Sequence, residues 1–202
     1  SHNDQQSVWQ ASLPEGATSG WGGRMGDLLM SNNGQATFTA ISVAGNAVYL
    51  SGNSAVQYQV STSGSVAING IGSTLYGSAA AAQTLRQLIT SAPQANAMQQ
   101  AHAAVTQRSI TADSTLRAAL AAAPALATTF PTTSLGKQLA MVAKIIAARG
   151  PLSSKRQVFF VSLGGFDSHD AQNRNQADLM ARLAHAMSYF DATLGAIGAR
   201  SQ

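Results

Sequence analysis

Residues 157–173, QVFFVSLGGFDSHDAQN, decide how this chain is read. The first seven form a nearly continuous apolar run, and Gly164-Gly165 closes it. A short apolar run bounded by glycine reads as a strand, and one without polar alternation reads as a parallel strand covered on both faces. Downstream, Leu179, Leu183, Met187, Phe190, Leu194 and Ile197 recur at spacings of three and four, which predicts a helix with one apolar face. Arg174, Asp178 and Arg182 fall on another face at i,i+4 spacing. Upstream, Leu135, Leu139, Val142 and Ile146 mark a second amphipathic helix, ended by Gly150-Pro151. Helix, strand, turn, helix is an α/β unit. In open α/β sheets ligands bind beyond the carboxyl ends of the strands. Asp167 and His169 stand at that place.

The bulk composition limits the function. The chain has 202 residues, enough for one large domain or two small ones, and enough to bury a substantial core. Hydrophobic residues are 45% and charged residues only 10%, so Gln, Asn, Ser and Thr must supply the polar surface. Twelve Lys and Arg against eight Asp and Glu give +4. The basic residues are scattered, with Lys155-Arg156 the one adjacent pair, and nucleic-acid binding needs a clustered basic face. No nucleic-acid partner is therefore expected. Cysteine is absent, which excludes disulfides, thiolate zinc sites and a thiol nucleophile. No run approaches the roughly 18 apolar residues of a membrane span. Ser1-His2-Asn3-Asp4 is polar and not an export signal, while a weakly charged Gln/Ser/Thr-rich surface suits an exported protein.

The remainder is less regular. Residues 1–35 are Gly-rich, with short helices expected in SHNDQQSVWQ and GWGGRMGDLLM. Residues 36–77 read as a β/loop excursion, with strand candidates ATFTAISV, AVYL and VQYQV. Residues 78–150 read as a helical segment. Its longest helix is expected over about 94–122, with Met98, His102, Val105, Ser109, Ala112, Leu116 and Leu120 on one stripe. Residues 157–198 form the strand-turn-helix unit that carries the candidate site.

Asp167 and His169 supply a hard carboxylate and a borderline imidazole donor, a pair able to hold a divalent metal. The same turn has a plainer reading, in which Asp170 caps the final helix and Asp167 satisfies turn amides. Ser1, His2 and Asp4 offer a hydroxyl beside an imidazole, against the plainer reading of a frayed, capped terminus. His102 sits on an apolar stripe and reads as a core or boundary histidine. His185 flanks the final helix's stripe and reads as a surface or boundary residue. Trp9 and Trp21 could line a cleft, with packing as the default. GIGSTLYG, residues 70–77, lacks the third glycine of the dinucleotide fingerprint, and no Walker lysine motif, Gly-x-Ser-x-Gly elbow or His-Glu-x-x-His is present.

Three segments together resemble a known family. Gly164-Gly165-Phe166-Asp167-Ser168-His169 with Gln172, SHNDQQSVWQ, and GWGGRMGDLL are similar, in order, to motifs of the bacterial DUF1501 proteins, placed in the alkaline phosphatase/sulfatase superfamily. Ser168 replaces the usual Thr. The resemblance implies a single α/β domain over 1–202, partial in extent, with an alkaline-phosphatase-like core and a mostly parallel sheet. It implies a divalent metal, zinc first, with calcium, magnesium or manganese as other options, held by Asp167 and His169. It places Ser1 and His2 near the superfamily's nucleophile, as catalytic candidates. The family's upstream Gly-Gly-x-Asp-Gly and downstream Ser-Asp-Phe-Gly-Arg-Thr and Asp-His-Gly segments are missing, so the chain reads as an internal fragment. A periplasmic or secreted location is implied.

Two functions follow as expectations. One is metal-dependent hydrolysis of small or polymeric phosphate or sulfate esters. The other is a non-catalytic secreted or surface binding module that uses a hydrolase-like scaffold.

Overall fold

The computed structural model describes residues 2–13, 16–91 and 96–200. The chain divides into two compact units, residues 1–64 with 119–202, and residues 65–118. The first unit contains α1 (His2–Ala11), α2 (Trp21–Leu29), β1 (Ala40–Ser42), β2 (Tyr58–Gln59), α5 (Ser134–Ala147), β3 (Val158–Phe160) and α6 (Gln172–Ala196). The second holds α3 (Ala79–Thr90) and most of α4 (Ala97–Ala122).

The three strands form one sheet in the order β2-β1-β3, parallel throughout. Ile41 of β1 lies opposite Tyr58 on one side and Phe159 on the other. The segment expected as an excursion therefore supplies the middle strand. β1 is also the strand covered on both faces, since Ala40, Ile41 and Ser42 are all fully buried. That property was expected of the 157–163 run. There the strand is only Val158–Phe160, and Phe159 and Phe160 are half-buried, because β3 lies at the sheet's edge. The other expected strands are also cut short. ATF and VYL wind into single 3₁₀ turns, Ala36–Phe38 and Val48–Leu50.

Side chains alternate across a strand, so the two faces of the sheet meet different partners. Ala40, Val158 and Leu50 bury together, with Leu29, Tyr49 and Phe160 packed against them. A second cluster of Leu135, Leu139 and Ala186 gathers Val161, Leu163, Leu183 and Phe190 from α6 and the end of the β3 run. This makes α/β layering around a small parallel sheet.

α2 forms despite its glycines because they are its contact surface. Gly22, Gly23 and Gly26 are buried. A Cβ on Gly23 would lie 2.0 Å from the Ser51 carbonyl, and one on Gly20 would lie 2.3 Å from the Val48 oxygen. Only a helix face without side chains lets the 48–55 backbone approach this closely. Asp27 then fastens that segment by accepting from the amides of Asn53, Ser54 and Ala55 at 2.8, 2.9 and 2.7 Å. Those donors, Ala55 first, hold the Asp27 carboxyl below the usual carboxylate range, outweighing a small opposing effect of burial. Arg24 stacks on Trp21 at 4.9 Å and donates to the Ala11 carbonyl at 2.6 Å.

In the second unit, Ser78 caps α3 by accepting from Ala81 N–H. Asn96 and Gln99 bond each other's amides across the first turn of α4, a reciprocal capping box. The expected stripe on α4 is only partly the buried one. Met98, His102 and Val105 are exposed, whereas Ala103, Ala112, Leu116 and Ala119 are buried. Alanine adds little to an apolar pattern, so the larger exposed side chains outweighed it. Burial acts to raise the Asp113 pKa, but pairing with Arg117 more than offsets it and leaves the carboxyl below its ordinary value. No helix among the described residues is long and apolar enough to cross a membrane.

Candidate metal centre

The turn that follows β3 is held at its start by a side chain from α5. Buried Gln138 accepts from the Ser162 amide at 2.8 Å and donates to the Ser162 carbonyl at 3.0 Å, as a neighbouring strand would. The chain then bends at Gly165, whose φ of +98° is open to glycine at little cost. A Cβ there would meet Leu179 of α6 at 3.4 Å, so the turn lies on the helix it precedes. The Ser168 amide donates to the Phe166 carbonyl at 3.0 Å, closing a three-residue turn around Asp167.

This tight turn sets Asp167 and His169, two positions apart, side by side. His169 Nε2 lies 3.4 Å from Asp167 Oδ2. Two ligands of one tetrahedral zinc, each about 2.0–2.2 Å from the ion, also lie about 3.4 Å apart. Both side chains face solvent, His169 84% and Asp167 65% exposed. Between them the Ser168 hydroxyl is buried without a hydrogen-bond partner. The donor set and spacing thus fit a divalent ion, but as part of a site. Among the described residues no group of three or more His, Cys, Asp or Glu side chains is placed to hold a metal. A catalytic zinc takes about three protein ligands.

Asp170 does not cap α6. Ala171 occupies the cap position at φ 46°, ψ 32°, with no side-chain cap bond. The Asp170 carbonyl instead accepts from Asn175 Nδ2 at 3.2 Å. Of the proposed catalytic pair, Ser1 lies outside the described residues. His2 enters through its backbone alone, as the first residue of α1. His102 is exposed, not a core or boundary residue, and His185 is a surface residue whose ring meets Tyr189 edge-on at 4.8 Å. Trp9 and Trp21 are both exposed and so do not follow the packing default.

Three polar residues that organise the chain escaped the sequence reading: Asp27, Gln138 and Asn33. Asn33 accepts from the Lys155 and Arg156 amides at 2.7 and 3.0 Å and donates to the Arg156 carbonyl at 2.7 Å. No local pattern marks an amide side chain whose partners lie far along the chain.

A family model described as a protein of unknown function, DUF1501, matches residues 1–201. No curated protein and no solved structure matches the chain.

Proposed function

The chain belongs to the DUF1501 family, and from that membership and the turn after β3 we propose metal-dependent hydrolysis of phosphate or sulfate esters on an alkaline-phosphatase-like core. One observation carries the proposal. A carboxylate and an imidazole stand 3.4 Å apart just beyond the carboxyl end of a parallel strand. Asp167 would bind a divalent ion through Oδ2 and His169 through Nε2, with zinc the best match to the donors and calcium, magnesium or manganese as the other options. Such an ion supplies Lewis acidity toward the ester oxygens. Gln138 and Gly165 contribute by fixing the direction in which the turn leaves the sheet. Ser1 and His2 remain the nucleophile candidates. Further ligands would come from outside the described residues. A periplasmic or secreted location belongs to the same proposal.

The test is metal content by plasma mass spectrometry after dialysis against trace divalent metals, beside His169→Ala and Asp167→Asn. Hydrolysis of an aryl phosphate and an aryl sulfate is followed in parallel. Metal that is present in the parent and lost in both variants supports the site. Equal metal in all three, or none in any, overturns it.

A further inference from the structure

A second feature lies at the opposite, amino-terminal end of β3. Two cavities there share one wall, made of Arg149, Ser154, Lys155 and Arg156. The first, about 460 Å³, has Leu139, Val142, Ile146, Phe159, Phe190 and Leu194 as its apolar lining. The second, about 900 Å³, is polar, with Ser31, Asn32, Asn33, Gly34 and Ser153 around it. Both volumes fall in the range of about 300–1,000 Å³ typical of small-molecule sites. No Asp or Glu is among the described residues that line either one.

The wall is fixed in place. Asn33 holds the backbone of Lys155 and Arg156 through three hydrogen bonds, and its Nδ2 also donates to Thr39 Oγ1 at 2.8 Å. Gly34 N–H donates to the Ser153 carbonyl at 2.8 Å. Arg149 is anchored by donating to the Ile146 carbonyl at 3.2 Å and to that of Ile197 at 3.4 Å. Lys155 and Arg156 are exposed on this support, between an apolar and a polar space, and Arg156 Nη1 donates to the Lys155 carbonyl at 2.9 Å.

We propose that this wall binds an amphiphile with one acyl chain and an anionic head, the chain in the apolar cavity and the head against Lys155 and Arg156. A free anion would leave the apolar cavity unused, and a neutral lipid would leave the wall's three cations, Arg149, Lys155 and Arg156, without an anion. The cation-bearing wall common to both spaces answers to one molecule with both properties.

The test is calorimetric titration of the whole chain with dodecyl phosphate below its micelle concentration. Dodecyl maltoside and inorganic phosphate are titrated in parallel, and EDTA is present throughout. One-to-one binding of dodecyl phosphate is expected, at least about tenfold tighter than either comparison ligand, since charge-assisted bonds to the head are lost with maltoside and chain burial is lost with phosphate. Lys155→Ala with Arg156→Ala should weaken it by at least about tenfold. Both residues are exposed, so the fold should survive, and His169→Ala should bind as the parent does. Equal binding of maltoside or of inorganic phosphate, no binding at all, or an unchanged double variant overturns the proposal. Loss of binding in His169→Ala also overturns it, by moving the ligand to the other turn.

Discussion

Gly23→Ala tests how α2 is packed, because two well-understood effects oppose each other at that position. Alanine favours a helix interior by about 1 kcal/mol over glycine, so propensity alone predicts a more stable protein. The structure predicts the reverse. The added methyl carbon would stand 2.0 Å from the carbon and oxygen of the Ser51 carbonyl, where ordinary contact starts at 3.4 Å. Helix and segment must separate by about 1.4 Å to reach normal carbon contact. Overpacking of this kind costs ~1–3 kcal/mol. The separation also stretches the bond from Gly20 N–H to the Ser51 carbonyl, now 2.8 Å, for about 1 kcal/mol more. After the helix gain is subtracted, a net loss of about 1–3 kcal/mol is expected. Urea unfolding of parent and variant measures it, read as a shift in midpoint at constant slope. Gly26→Ala is the companion, because its Cβ would meet side chains alone: Ala55 at 3.0 Å, and Ala40 and Thr39 at ordinary contact of 3.8 and 4.0 Å. It should lie within about 1 kcal/mol of the parent. A Gly23→Ala protein as stable as the parent, or a larger loss at Gly26, would refute this account of α2.

Two more predictions follow from local geometry. Asp27 has a folded pKa below its ordinary value. Its contribution to stability is therefore complete above the unfolded pKa, near 4, and is lost as pH falls through the folded value. Asp27→Asn should lower the melting temperature at neutral pH by an amount that shrinks steadily below about pH 4; a pH-independent difference would count against the carboxylate's role. Ala171 at φ 46° carries the left-handed penalty of roughly 1–2 kcal/mol, offset on replacement by glycine's entropy of about 0.5–1 kcal/mol. Ala171→Gly should raise the unfolding midpoint slightly, and a lowered midpoint would mean the residue is not strained there.

The helices were the legible part of the sequence. α5 and α6 carry large apolar residues at regular spacing, and Leu135, Leu139 and Leu179 are buried as that spacing requires, whereas Met187 of the α6 stripe is exposed. The strands were harder because their pairing is non-local. β1 is the middle strand because β2 and β3 pair with it on either side, which nothing within three residues can announce. The glycines of α2 lowered the expectation of a helix, since their value lies in the partner backbone they admit. Asp167 and His169 could be found because strand, glycines and ligands are adjacent in sequence. The wall built on Asn33 could not, although Lys155-Arg156 stood out as the one adjacent basic pair. Its support comes from residues 31–34, far upstream.

The same remoteness bears on the order of events during synthesis. Asn33 and Arg156, joined by hydrogen bonds, are 123 positions apart. β1 leaves the ribosome shortly before β2, but its other edge stays open until 158–160 have emerged, after α3, α4 and α5. Pairings that close such long loops form slowly, and an open strand edge can template wrong partners meanwhile. The nascent chain thus carries a half-built sheet throughout the synthesis of the residues between β2 and β3. Yield in a cell should depend as much on what shields β1 during that interval as on the stability of the finished fold.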